Sequence, residues 1–395
     1  MIETEIAIIG GGIAGCSAAF HLASHGRRVV LLERGDIASA ASGQNMGGID
    51  SYGWGDAPDL HAHLTAGSLE IFEAVQADLG QDIEFRRSGG LQAIRTAEEY
   101  EWQRERVEQL RKRGQVAELL TAREVRGIEP GFSPALLGAL YAPRRGQADP
   151  VRATQAFARL AELRGARVLT HHEVSAVAGR PAGGYAITTS REDVVAGVLV
   201  LAAGAWCSPL GAMLHLDIPI VPVRGQMWAT APTGPRSFHT ISAAESAMAW
   251  ARDHGGAPPD LTIRDGRRVT RHLYGRQRRN GEIIFGGDRE VVGYDTTPDA
   301  TGITVNRDHA MSVLPFLGEL PIARTWAGLM PFPLDGKPLI GRMPNRDNLW
   351  IVSGLASSGF GRGPMAGKLL ADYLHTGAPA PVLAEANPEG RVRER

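Results

Sequence analysis

Cysteine is nearly absent from this sequence of 395 residues: there are two, Cys16 and Cys207. No Cys-x-x-Cys spacing occurs, so a disulfide framework and thiol–disulfide chemistry both lack their parts, and no metal cluster is expected. Net charge is close to zero, −1 at neutral pH. Nothing general then draws the chain to nucleic acid or to an anionic membrane. Long apolar runs are missing too, which excludes a transmembrane segment. The start, Met1-Ile2-Glu3-Thr4-Glu5, is acidic and passes at once into a strand pattern, unlike a signal peptide. A cytoplasmic protein is the expectation. The 43% apolar and 22% charged residues are ordinary for a globular chain. Its length exceeds what one hydrophobic core supports, so two domains are expected.

Ile6-Ala7-Ile8-Ile9 reads as a buried strand, Ile13 to Ser24 as a helix ended by Gly26, and Val29-Val30-Leu31-Leu32 as a second buried strand. Together they make a βαβ unit. Glu98 to Arg113 is a charged helix, read as a solvated face. Val151 to Arg164 is a further helix leading into strand Arg167-Val168-Leu169, and Val198 to Leu201 is another buried strand. From Pro222 to Arg289 the pattern turns β-rich, as in an antiparallel sheet, with Tyr274-Gly275-Arg276 and Ile283-Ile284-Phe285 as its clearest pieces. The chain closes with a strand from Leu349 to Val352, a glycine-rich turn, a helix from Met365 to Tyr373, and a polar tail from Pro379 to Arg395 expected to fray. The fold class expected is α/β: a Rossmann-type domain with an inserted α+β domain that contains an antiparallel sheet.

Gly10-Gly11-Gly12-Ile13-Ala14-Gly15 fits G-x-G-x-x-G and lies between a strand and a helix. In that context Gly10 serves the tight turn, Gly12 lets the backbone approach a pyrophosphate, and Gly15 lets helix and strand pack closely. The helix N-terminus faces the phosphates. Glu33 closes the second strand, where an acid binds ribose hydroxyls. A glycine-rich turn without a ligand is the alternative. No second motif of this kind is present, so NAD(P)H has no evident place and electrons are expected to come from the organic substrate.

Further segments identify a resemblance. Ala41-Ser42-Gly43-Gln44-Asn45-Met46-Gly47-Gly48, Ala202-Ala203-Gly204-Ala205-Trp206, Pro222 to Gln226, Thr325-Trp326-Ala327-Gly328-Leu329, Asp335 to Gly341 and Gly354 to Gly367 occur in the order seen in the D-amino-acid oxidase superfamily. The resemblance is to its glycine oxidase, sarcosine oxidase and D-amino-acid dehydrogenase branch. It spans nearly the whole chain and is not specific for a substrate. It implies FAD, contacted by Gly10, Gly12, Ile13, Ala14, Gly15, Glu33 and Arg34. Further contacts are Ser42, Gly43, Gln44, Asn45, Gly47 and Gly48 in the early loop, then Val174, Ala203, Gly204 and Trp206. Gly328, Gly359, Phe360, Gly361, Arg362 and Gly363 complete the set. Gly359 to Gly363 reads as a tight turn against a flat ring, with Pro364 in the first turn of the helix after it. Gly328 stands where some relatives carry a flavin-linking cysteine, which implies non-covalent FAD. The domain division that follows is 1–83, 146–222 and 327–395 for the FAD domain, and 84–145 with 223–326 for the substrate domain.

The function implied is oxidation of a C–N bond in an amine or amino acid by hydride transfer to flavin N5, with oxygen, a quinone or another carrier as acceptor. Glycine oxidase-like members hold the substrate carboxylate with an arginine after Gly-Leu, where this chain has Met330. Arg276 and Arg362 are then the candidate anchors, with Tyr274 two residues from Arg276 on the same strand face; the alternatives are a surface strand residue in the basic run Arg276 to Arg279, an Arg362 that bonds backbone carbonyls, and a Tyr274 that simply packs. Sarcosine oxidase-like members carry a lysine near the flavin where this chain has Ile283-Ile284-Phe285, which leans toward a dehydrogenase. Tyr52 and Trp54 are candidates for the substrate entrance, and His61, His63 and His272 are read as ordinary polar residues. A flavin-dependent 2-hydroxy-acid dehydrogenase and a non-catalytic FAD-binding subunit of a hetero-oligomer stay open as alternatives. A homo-oligomer is compatible with the sequence and not specified by it.

Overall fold

The computed structural model describes residues 1–52, 58–252, 263–264, 267–268 and 272–395; Trp54 lies outside them. Two large sheets organise the chain. The first takes strands 339–342, 349–353, 194–201, 2–9, 29–32 and 167–169 in that spatial order, with the meander 174–179 and 185–189 joined to 194–201. The strands from 349–353 across to 167–169 run parallel, while 339–342 is antiparallel to its neighbour. A parallel sheet covered on both faces needs unbroken apolar strands. Ile6 and Ile8 accordingly enter one core cluster with Leu31 and Val200. Ala7 and Ile9 enter another, on the opposite face, with Val30, Leu32, Leu199 and Leu201.

The helix Ile13–Ser24 matches the sequence reading at both ends. It packs between the helix Pro150–Leu163 and the last helix, Gly359–Thr376. The second sheet has the order 322–333, 220–230, 283–290, 274–277, 240–243, 90–94, 138–142, 118–121. All its pairs are antiparallel except 240–243 with 90–94. Its longest pairing holds Ile220 to Thr230 against Pro333 to Ile322.

Three expectations need correction. The helix Ala97–Lys112 is not only a solvated face: Gln103 and Val107 are buried, and Gln103 Nε2 donates to Gln92 Oε1 at 2.9 Å. The tail after Pro379 does not fray. Leu383, Ala386 and Val392 are buried, and Arg393–Glu394 pairs with Leu216–Asp217, because apolar side chains spaced along a polar segment can still reach two core clusters. The glycine-rich turn at 359–363 is already helix, which begins at Gly359 and carries Pro364 in its interior. The reason lies in packing. A Cβ on Gly363 would stand 2.5 Å from Ile13 Cγ2, and one on Gly367 would stand 2.6 Å from the Ala14 carbonyl oxygen. These glycines bring two helices together, and Ser17 Oγ donates to the Pro364 carbonyl at 2.7 Å across the contact.

Candidate functional site

The turn between the first strand and first helix is shaped by what its residues lack. Gly10 has φ +122°, and a Cβ there would sit 2.5 Å from the Ala202 carbonyl oxygen. Gly15 faces back on the turn, where a Cβ would come within 2.1 Å of the Gly10 carbonyl oxygen. Gly12 precedes the helix, and no side chain of its own caps it. Instead Ser42 Oγ accepts the Ile13 N–H at 2.9 Å, which ties the early loop to the helix start. Glu33 is oriented by two backbone donors, Gly11 N at 2.7 Å and Gly35 N at 2.8 Å.

A single cavity of about 530 Å³ runs past this turn and on to the second sheet. Gly10, Gly12, Ile13, Ala14, Glu33 and Arg34 line one stretch of it, with Val174, Ala203, Gly204 and Trp206. The Arg34 guanidinium lies 3.8 Å over the Trp206 ring. Ser42, Gln44, Asn45 and Gly48 continue the wall, and Gly328, Gly359, Phe360, Gly361 and Arg362 complete it. Gly15, Gly43, Gly47 and Gly363 do not line it. They stand behind the wall, where Cβ atoms on Gly43 and Gly47 would lie 2.2 Å from the Ala38 carbonyl oxygen and 2.0 Å from that of Ala148. The early loop is held from within: Asn45 Nδ2 donates to the Ala41 and Ser42 carbonyls at 3.0 Å, and its Oδ1 accepts Gly47 N–H at 2.8 Å.

These residues fit a long dinucleotide. Small residues open the floor, the N-termini of the first and last helices face the cavity, and an oriented carboxylate stands at the end of the second strand. Among the described residues no His, Cys, Asp and Glu side chains form a metal-binding group.

The wall contributed by the second sheet sets polar groups among apolar ones. Tyr274, Arg289 and Met330 line it, and His272 lies beside them. Burial raises the Tyr274 phenol above its usual range, so it is a neutral donor. Arg276 does not line the cavity. It is 1% exposed, and its guanidinium donates to the Met46 carbonyl, to Gln147 Oε1 at 3.1 Å and to the Ala148 carbonyl at 2.9 Å. It shares a strand face with Tyr274, but the early loop covers it, so it straps that loop to the sheet. Arg362 is in the wall and buried; burial lowers its pKa to about 10, opposed by the charge of the Asp50 carboxylate.

Sequence reasoning missed several wall residues. Asp50 Oδ1 pairs with Arg145 Nε at 3.1 Å, and Arg145 Nη1 reaches Ser242 Oγ at 3.4 Å. Arg106 projects from the charged helix over the ring of Tyr52, 5.5 Å from its centroid. Arg289 lies one residue inside the end of a strand whose readable core stops at Phe285. A local signal exists only for Arg106, at helical spacing one turn after Gln103. Asp50, Arg145 and Arg289 sit in loops and strand ends with no pattern around them.

Comparison with known proteins agrees with this architecture. The family profile described as FAD dependent oxidoreductase matches residues 5–373. A glycine oxidase of Bacillus licheniformis is 27% identical over 376 residues, covering 93% of this chain and 92% of that protein. The crystal structure of L-proline dehydrogenase from P. horikoshii is similar with a TM-score of 0.84 at 27% identity, covering 98% of this chain and 97% of that one. That of glycine oxidase from Geobacillus kaustophilus has a TM-score of 0.85 at 24% identity and covers 99% of both chains, a likeness of fold.

Proposed function

Because the chain belongs to the family of FAD-dependent oxidoreductases, we propose that it oxidises a C–N bond of an amine or amino acid. One observation carries this reading: a single cavity joins the dinucleotide cradle to a wall carrying the polar groups of Tyr274, Arg289 and Arg362. The substrate is thereby stacked between the cofactor and the second sheet, without need of a second dinucleotide. Bound FAD supplies the acceptor for a hydride leaving the carbon beside the amine nitrogen.

The chain's own residues supply position and charge. Gly12 and the start of the first helix hold the pyrophosphate, Glu33 the ribose, and Arg34 with Trp206 and Val174 the adenine end. Gln44, Asn45 and Gly48 hold the ring from the early loop, with Gly328 from the second sheet. The last helix points its N-terminus, through Gly359 to Arg362, at the ring, where it stabilises the negative charge of the reduced state. The first sheet with its helices belongs to the FAD domain and most of the second sheet to the substrate domain; at the boundaries given above, strands 220–230 and 322–333 cross from one to the other. FAD is held without a covalent bond. Among the described residues no lysine lines the cavity, which favours an acceptor other than oxygen.

Anaerobic mixing with a panel of amines and amino acids tests the proposal. At least one is expected to bleach the flavin, whereas NADPH is not, and acid precipitation is expected to release all FAD. Rapid bleaching by NADPH with none by any amine would overturn the reading.

A further inference from the structure

The geometry points to Arg289 as the residue that binds a carboxylate on the substrate, with the Tyr274 phenol as second donor, so that the substrate class is an amino acid and not a plain amine. This rests on the amine-oxidising reading above.

Gly328, Gly225 and Arg289 are register partners across three adjacent strands, and all three line the cavity. The row starts against the early loop, where a Cβ on Gly328 would stand 2.7 Å from Gln44 Oε1. It ends on a guanidinium. Gly225 keeps the middle of the row low: a Cβ there would meet Met330 Cε at 3.0 Å. A small ligand lying over this row therefore has the cofactor's loop at one end and a cation at the other.

The other arginines on these strands do not line the cavity. Arg224 pairs with Glu290 and Asp295, Arg276 straps the early loop, and Arg324 pairs with Glu282. Among the described residues of the sheet's strands, Arg289 is the cation that lines the cavity. It is 4% exposed, and its guanidinium lies 5.5 Å over the Phe332 ring. Burial lowers its pKa to about 10, which leaves it charged at neutral pH. Its neighbour Asp288 accepts from Gln226 Nε2 at 2.8 Å. Burying a guanidinium is costly. A guanidinium on the cavity wall can meet a carboxylate ligand with a bidentate, charge-assisted pair.

Benzoate and its uncharged counterpart benzamide are the probes, read from the shift of the flavin visible band in the FAD-loaded protein. Wild type is expected to bind benzoate more tightly than benzamide. In Arg289→Met the benzoate Kd is expected to rise about 30-fold or more, while that of benzamide holds. Arg289→Lys keeps the charge but not the fork, so about a tenfold loss is expected. Tyr274→Phe is expected to cost a few-fold, as for one neutral donor. Should Arg289→Met fail to retain FAD, the lysine variant decides alone. Unchanged preference for benzoate in the variant that retains FAD overturns the assignment, and so does loss of that preference in Arg362→Met but not at Arg289. Benzoate discrimination in a protein whose flavin no amine reduces would leave Arg289 in place and remove the functional reading instead.

Discussion

The two walls of the cavity are built on opposite principles. The wall from the first sheet and its helices is made by removing side chains: Gly10, Gly12 and Gly15 fold the turn, and Gly363 and Gly367 let the last helix settle on the first. The wall from the second sheet, apart from Gly225 and Gly328, is made by adding them, with Tyr274, Arg289, Met330 and, from the helix Ala97–Lys112, Arg106. Backbone approaches one side of a ligand closely, and only its general shape is recognised there. Separate side chains meet the other side, where replacing a single residue alters what is recognised. A family can therefore hold its cofactor fixed while the opposite wall varies.

The largest effect expected from testing this contrast is on the glycine wall. Gly12→Val places a branched side chain against Ser42 Oγ, which stands 3.0 Å from the Cβ position and accepts the Ile13 N–H. The purified protein is expected to be colourless, with an FAD-to-protein ratio near zero, yet folded by circular dichroism. Yellow protein of wild-type stoichiometry would show that the turn does not bear on the cofactor.

A middle effect belongs to the strap between the walls. Arg276→Met removes the donors to the Met46 and Ala148 carbonyls and leaves them buried, which costs about 2–4 kcal/mol of stability. Urea denaturation measures it. FAD should bind less tightly because the early loop loosens, but the ratio of benzoate to benzamide affinity should not move. A change in that ratio would place Arg276 in the substrate wall after all.

The smallest effect is a pH dependence confined to the helix contact. His21 on the first helix is held to a pKa of about 4, first by burial and then by Lys368 of the last helix. The unfolded chain takes up that proton near 6.5. Between the two values the unfolded state binds more protons, so stability is undiminished above about 6.5 and falls as pH drops toward 4, by roughly 2–3 kcal/mol at most. His21→Gln should flatten that slope in denaturation curves taken at pH 7 and pH 4.5. An equal slope in both proteins would assign the loss to other groups.

Much of the glycine wall was legible because its requirements are local. A tight turn, a close approach and a following helix occupy consecutive residues, from Gly10 to Gly15, and the acid falls at a fixed distance, at Glu33. The side-chain wall was not, because Arg289, Asp50 and Arg145 meet only through long-range pairing of strands. Arg276 illustrates the limit. Its residue type and strand suited an anchor, but whether loop 41–48 would cover it depends on Gly47 and Ala148, far away in sequence. The last helix shows the reverse error. Gly359 to Gly363 carries a composition that breaks isolated helices, and only the groove beside Ile13 and Ala14 makes helix the better state there.

The contact between the first helix and the last has a consequence for how the protein comes to be made. The nucleotide's cradle draws on residues from Ile9 to Arg362, and the helix that closes it, Gly359–Thr376, is synthesised long after the first. The βαβ unit at residues 2–32 has one flank of its first helix bare until the helix Gly359–Thr376 is made. Firm capture of the cofactor thus waits for the helix Gly359–Thr376, and a chain stalled before Gly359 would display the fingerprint without the means to retain what the fingerprint binds.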